Sequence, residues 1–252
     1  MPEILFVSGV GRSGTSALVN LLNLHPGLLI GQERYFYLFR KNLIGPAHFE
    51  KARFLDVRPE DTHPQAGLRP GRGDPAARFD QARYVGDKYP SLFRHFDHIF
   101  DAFPKARHVY ILRNPLSVIE SYDARHANPA DAWKLTWQDG LAAWNESLGR
   151  VSALPPERLH QFVLRQYETL YASPAAMNRL YAALDLPPLP EAQLIPFAEK
   201  FAALNDKPVA RRDELRAAVA RHADWAAYAR LCTLIEAAAD GAAVPAIAGT
   251  GH

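Results

Sequence analysis

The segment Gly9-Val10-Gly11-Arg12-Ser13-Gly14-Thr15-Ser16 constrains this chain more than any other. It ends Ile4–Val10, a short apolar, β-rich run that reads as a buried strand. It opens Thr15–Leu24, where helix formers recur at apolar spacing until His25-Pro26-Gly27. Leu28–Gly31 is a second short apolar run. Strand, glycine loop, helix and strand within about thirty residues make a βαβ unit, which places parallel strands in one sheet.

Glycines let the backbone of such a loop turn several N–H groups inward, and the helix start adds partial positive charge. The loop therefore suits phosphate-like oxygens. Its spacing invites comparison with the triphosphate loop Gly-x-x-x-x-Gly-Lys-Ser/Thr. Gly9 and Gly14 have that separation and Ser16 stands at the magnesium-binding hydroxyl, but Thr15 occupies the lysine position. The clearest strand, His108–Leu112, runs into Arg113-Asn114, with no carboxylate to support magnesium. A nucleotide kinase-like phosphotransferase would lack both parts and stands as the alternative enzyme class.

Residues 40–83 contain Pro46, Pro59, Pro64, Pro70 and Pro75 with Gly67, Gly71 and Gly73. A short helix near 47–54 is expected, followed by an irregular excursion that serves as a lid or an acceptor-binding segment. A strand follows at Tyr84-Val85-Gly86. Helices are expected over 91–103, 115–126, 131–151, 174–184 and within 213–239, with a strand at Leu159–Arg165. Pro115 suits a first helical position, where its missing N–H costs little. Residues 241–252, small and glycine-rich, read as a frayed tail. The 252 residues thus suit a single α/β domain, a three-layer, P-loop-like fold with a central parallel sheet flanked by helices.

A net charge of +2 gives no basis for wholesale nucleic-acid or membrane binding, though local basic clusters can still take an anionic ligand. No run approaches the roughly 18–20 apolar residues that span a bilayer, and Met-Pro-Glu-Ile-Leu-Phe-Val reads as the approach to a strand rather than as a signal peptide. The lone cysteine, Cys232, reads as a small apolar residue on a late helix, compatible with a reducing, cytoplasmic compartment.

A second motif gives the first its meaning. Arg113-Asn114-Pro115 closes a strand, and Ser121 follows the arginine by eight positions on the next helix. The two motifs together resemble the PAPS-dependent sulfotransferases (PAPS, 3′-phosphoadenosine 5′-phosphosulfate). There a Lys/Arg-Ser-Gly-Thr-Thr/Ser loop holds the 5′-phosphosulfate and Arg-Asn/Asp-Pro…Ser holds the 3′-phosphate. Arginine supplies a fixed fork of donors and serine a hydroxyl. Gly86-Asp87-Lys88-Tyr89-Pro90 resembles the family's Lys-x-Pro segment. Arg165-Gln166-Tyr167-Glu168-Thr169-Leu170 through Pro174 resembles a stretch of its bacterial members. The resemblance covers residues 4 to 186. The late Arg-Lys-Gly motif of cytosolic steroid and phenol sulfotransferases is missing, and Tyr89 stands where those enzymes place a histidine base. The chain looks closer to bacterial, Golgi-type and tyrosyl-protein members, which use an early glutamate.

The resemblance implies PAPS as co-substrate, no metal, and in-line transfer of a sulfuryl group to an acceptor hydroxyl or amine. It implies Arg12, Ser13, Gly14, Thr15 and Ser16 at the 5′ end, Arg113 and Ser121 at the 3′-phosphate, and Tyr167 either near the adenine or in the core. Glu33, just after the second strand, matches the catalytic glutamate as general base, with Lys88 and Arg12 neutralising the leaving group. Asp87 is a competing base or orients Lys88. His25, His48, His63, His95 and His98 show no metal-ligand pattern and read as structural or solvated. The acceptor, whether small molecule, carbohydrate, lipid or peptide, stays open. Tyr35, Phe36, Tyr37 and Phe39 either line its site or form an apolar helix face. A non-catalytic nucleotide-binding module is a third reading.

Overall fold

Strand β1, Glu3–Gly9, is buried from Leu5 onward because elements cover both of its faces, which is why it is continuously apolar rather than alternating. The computed structural model describes residues 2–68, 73–205 and 213–239, so the expected tail lies outside the described residues. Helix α1, Thr15–Leu22, leads to β2, Leu28–Gln32. The connection then runs through α2 (Phe36–Arg40), a 3₁₀ turn at Pro46–Phe49, α3 (Lys51–Leu55) and α4 (Pro75–Gln81) to β3, Tyr84–Lys88. A 3₁₀ turn at Pro90–His95 and α5 (Phe96–Ala102) precede β4, Arg107–Leu112. Helices α6 (Pro115–His126), α7 (Trp137–Ser152) and α8 (Pro156–Leu159) lead to β5, Phe162–Gln166. Then come α9 (Tyr167–Leu170), α10 (Pro174–Ala182), α11 (Glu191–Asn205), α12 (Asp213–His222) and α13 (Trp225–Ala239).

The sheet has the order β2-β3-β1-β4-β5, and every neighbouring pair is parallel. One face, with Leu5, Val7, Ile30, Val109 and Ile111, packs under Leu18 and Leu22 of α1 and Met177 and Leu180 of α10. The other, with Phe6, Leu29, Val85, Tyr110 and Leu112, packs under Phe39, Ile99, Trp144, Leu148 and Leu231. Alternate strand residues thus feed two cores, giving the expected three layers. Register aligns the carboxyl ends: Lys88 sits beside Val7 and Gln32, Ile111 beside Gly9, and Leu112 beside Gln166. Loops leaving β1, β2, β3 and β4 therefore gather on one edge. Because connections to either side of β1 run over opposite faces, that edge is where an open α/β sheet forms its crevice.

Several local expectations are corrected. The excursion over 40–83 holds a further helix, α4, started by Asp74, whose carboxylate accepts from the Ala76 and Ala77 N–H groups, with Pro75 in the first turn. The helix expected over 91–103 is split into the 3₁₀ stretch Pro90–His95 and α5, with non-helical backbone at His95 (φ −123°, ψ 13°) between them. That expected over 131–151 begins at Trp137, where Thr136 and Asp139 form a capping box. Strand β5 begins at Phe162 because Pro155-Pro156 starts a helical turn first. Cys232 lies half-buried on α13. Among the described residues no helix is long and apolar enough to cross a membrane.

Candidate active site

The loop after β1 is closed from within. The Ser13 hydroxyl donates to the Val10 carbonyl at 2.7 Å, and the Ser13 N–H donates to the same oxygen at 3.1 Å. Ser13, expected as a ligand contact, is fully buried, with its hydroxyl and N–H both engaged in closing the loop. Gly14 then takes φ 95°, and a Cβ there would lie 2.6 Å from the Tyr167 ring, so both conformation and space require glycine. No side chain caps helix α1, whose first N–H groups lack intrahelical partners and present positive charge at Thr15 and Ser16. Arg12 itself adopts φ 69°, an uncommon conformation for a residue with a side chain.

Arg12 and the residues after β4 form one unit. The Arg12 Nε–H donates to the Ser121 hydroxyl at 2.9 Å, and an Arg113 Nη1–H donates to the Arg12 carbonyl at 2.9 Å. The Arg113 guanidinium lies 4.1 Å from the centre of the Tyr167 ring, and its Nε is buried with no partner among the described residues. Asn114 caps α6 through the Leu116 N–H, while the Asn114 N–H donates to Glu168 at 3.0 Å. Tyr167 and Glu168 therefore brace both the Gly9–Ser16 loop and the Arg113-Asn114-Pro115 segment from below. Tyr167 is 5% exposed, wedged between Gly14 and Arg113 with Tyr171 and Phe201 beyond it. Desolvation of the Arg12 guanidinium, followed by repulsion from Arg125 and Arg113, lowers its pKa, a sign of cations gathered at one place.

Beyond β2 the chain turns through Glu33, which has φ 56°. Asp87 makes this turn possible. Its Oδ1 accepts from the Arg34 and Lys88 N–H groups at 3.0 and 2.9 Å, and its Oδ2 accepts from the Tyr35 N–H at 2.9 Å. Burial pushes the Asp87 carboxyl up to about 7 against these three backbone donors. With no exposed surface and both oxygens engaged, Asp87 is the anchor of the turn rather than a competing base. The Glu33 N–H donates to the Lys88 carbonyl at 2.8 Å, and the Lys88 Nζ donates to Glu33 Oε1 at 2.6 Å. Burial would raise the Glu33 carboxyl, but Lys88 and His63 overcome it and hold the group below its ordinary value.

Glu33, Lys88 and Ser16 line one cleft of ≈ 460 Å³, together with Asn20, Gln32, His63, Gln65 and Arg125. His63, read as structural or solvated, belongs to this site: its Nε2 lies 3.2 Å from Glu33 Oε2. His25, His48 and His98 instead bond backbone carbonyls, and His95 bonds Asn42. Arg125 was also missed, although it stands one helical turn beyond Ser121 and so on the same face of α6. Two 2.6 Å bonds tie it to Asp131. Of the aromatic run, Tyr35 and Phe39 are buried in the core. Phe39 stacks on Tyr89 and the Tyr35 hydroxyl donates to the His48 carbonyl, so they form a helix face and not a cleft wall.

Residues 2–191 match the family model described as "Sulfotransferase family". Among curated proteins, protein-tyrosine sulfotransferase 1 of Danio rerio is 22% identical over 189 residues, 73% of this chain and 53% of that protein. The chain thus spans about half the length of this relative. The sulfotransferase domain of the Synechococcus PCC 7002 olefin synthase overlays with a TM-score of 0.56 at 21% identity, covering 97% of this chain and 96% of that one. A sulfotransferase from Alicyclobacillus acidocaldarius overlays with a TM-score of 0.54 at 18% identity, covering 94% and 96%. At these identities the overlays speak for the fold.

Proposed function

Because this chain belongs to the sulfotransferase family, we propose that it moves the sulfuryl group of PAPS to an acceptor hydroxyl or amine, with Glu33 as general base. The observation that carries the reading is the meeting of two arginine-bearing loops and one carboxylate on a single sheet edge. The Arg113 Nη1–H donates to the Arg12 carbonyl, the Arg12 Nε–H donates to Ser121, and the cleft beside Ser16 contains Glu33 and Lys88.

The residues present fit a nucleotide with anionic groups at both ends. Among the described residues, the start of α1 offers N–H donors with no side chain in competition, and the buried Nε of Arg113 has no partner. PAPS supplies a phosphate at one end and an activated sulfuryl group at the other. Arg12, Thr15, Ser16 and the α1 N–H groups take the 5′ end, while Arg113 and Ser121 take the 3′-phosphate. Tyr167 supports both through Gly14 and Arg113.

Glu33 takes the proton of the attacking hydroxyl, and its depressed pKa keeps it ionised well into the acid range. Lys88, 3% exposed, brings a cation to the oxygens that gain charge at the reacting end. In-line transfer of this kind asks for position and fixed charge more than for covalent chemistry. Calorimetry with a chelator present tests the reading. Adenosine 3′,5′-bisphosphate binds without magnesium and far more tightly than ATP, and label passes from ³⁵S-PAPS to an acceptor. Chelator-sensitive binding, or equal affinity for ATP, returns the chain to the kinase class.

A further inference from the structure

The segment from Asp61 to Gly67 lies along the Glu33 turn and is fastened to it at successive points. Gln32 and Gly67 exchange backbone hydrogen bonds, each 2.9 Å long. The Thr62 hydroxyl donates to the Glu33 carbonyl, and the Tyr37 N–H donates to the Asp61 carbonyl at 2.9 Å. Asp61, 1% exposed, accepts from fully buried Arg34 at 2.7 Å and from Arg53. Arg34 also donates to the Phe54 and Asp56 carbonyls. A buried ion pair is a weak source of net stability, because desolvation offsets most of its attraction; its surer effect is to fix one arrangement of the groups around it. The arrangement fixed here is that of the residues next to Asp61, Thr62 and His63, against Glu33.

We infer that His63 is a positioning residue for Glu33: its Nε2–H donates to Oε2 and turns Oε1 toward the acceptor. This rests on the reading of Glu33 as base. An ionised carboxylate only accepts, so Nε2 must carry the proton in the 3.2 Å contact. Oε1 keeps a second lone pair beyond the one that Lys88 engages, and that lone pair receives the acceptor proton. The His63 ring is itself held edge-on to Phe36, with centroids 5.0 Å apart at 89°. The base is thereby fixed from two sides, by the Lys88 ammonium from β3 and the His63 N–H from the connecting segment.

The charged and titratable groups that face this pair are Lys88 on β3, Arg125 on α6 and, just past β3, Tyr89, whose pKa burial and the Glu33 charge both raise; Asp87 lies behind, buried against the turn. The other cleft residues, Ser16, Asn20, Gln32, Gln65 and Ala66, are uncharged. Burial opposes ionisation of Glu33, and Lys88 and His63 favour it. Losing the His63 donor raises the Glu33 pKa, and the acid limb of the rate, which requires ionised Glu33, moves to higher pH.

Three variants of the full chain test this: His63→Phe keeps a ring against Phe36 without a donor, His63→Gln keeps an N–H near the Nε2 position, and Glu33→Gln removes the base. One readout is the ¹³C NMR titration of the Glu33 carboxyl, assigned by its loss in Glu33→Gln and independent of turnover. The other is hydrolysis of ³⁵S-PAPS with water as acceptor, with calorimetry of adenosine 3′,5′-bisphosphate as the check on folding. In His63→Phe the Glu33 titration moves up and hydrolysis falls roughly 10- to 100-fold, the rate equivalent of one charge-assisted hydrogen bond. Bisphosphate affinity stays within about threefold, since no contact to the nucleotide is lost. His63→Gln restores most of both. The inference is overturned if the titration is unmoved in His63→Phe, or if His63→Gln fails as badly as His63→Phe. Should Glu33→Gln abolish hydrolysis while His63→Phe is normal, His63 has no such role and Glu33 keeps its own; should Glu33→Gln be fully active, both readings fall.

Discussion

Replacing Arg113 by alanine separates the two proposed anion sites. Arg113 makes one 2.9 Å bond to the Arg12 carbonyl, lies over the Tyr167 ring and keeps a buried Nε that has no partner among the described residues. If that nitrogen and its neighbours take the 3′-phosphate, the substitution removes charge-assisted bonds of about 1.5–3 kcal/mol, so bisphosphate affinity falls about tenfold to somewhat over a hundredfold. The bond to Arg12 passes part of the effect to the 5′ loop. One net hydrogen bond of about 1 kcal/mol corresponds to roughly fivefold. Calorimetry with two ligands, adenosine 3′,5′-bisphosphate and 5′-AMP, isolates the difference. The bisphosphate should lose its full share, and AMP no more than the fivefold transmitted through Arg12. Equal losses for both ligands would mean that Arg113 acts only by shaping the Arg12 loop. No loss for either would refute the placement of the second site, provided the variant melts like the wild type.

Glu33→Gln keeps shape but cannot take a proton, so turnover should drop about 10²–10⁴-fold in a label-transfer assay while bisphosphate affinity does not fall. Normal turnover would remove Glu33 from the mechanism. Gly14→Ala combines a left-handed backbone costing about 1–2 kcal/mol with overpacking against Tyr167 of about 1–3 kcal/mol. Urea titration should show a loss of roughly 2–5 kcal/mol on those grounds, and an unchanged midpoint would show that the loop does not need this conformation. Asp87→Asn turns an N–H donor toward backbone donors, leaving buried groups unsatisfied at about 1–3 kcal/mol. Stability should fall, whereas a fully stable variant with lost turnover would restore Asp87 as the base.

What the sequence alone determined here is local or periodic. Gly9–Ser16 between two apolar runs implied the βαβ unit and its anion loop, because glycine conformation and helix polarity act over a few residues. Arg113 and Ser121 were paired for the same reason, a strand end and a helix face at fixed spacing, and the fold sets both against Arg12. Only the tertiary structure decided how the remaining groups act. Ser13 could have faced a ligand until the loop closed on its hydroxyl. Asp87 became an anchor because parallel pairing sets β3 beside β2, aiming three backbone N–H groups at one carboxylate. Tyr167 and Glu168 became braces because β5 pairs with β4 and delivers them beneath both motifs. His63 stands thirty positions from Glu33 in a segment without periodicity, so no spacing rule joins them. They meet through the buried Arg34–Asp61 pair and the Gln32–Gly67 bridge, long-range contacts whose partners a linear pattern does not name.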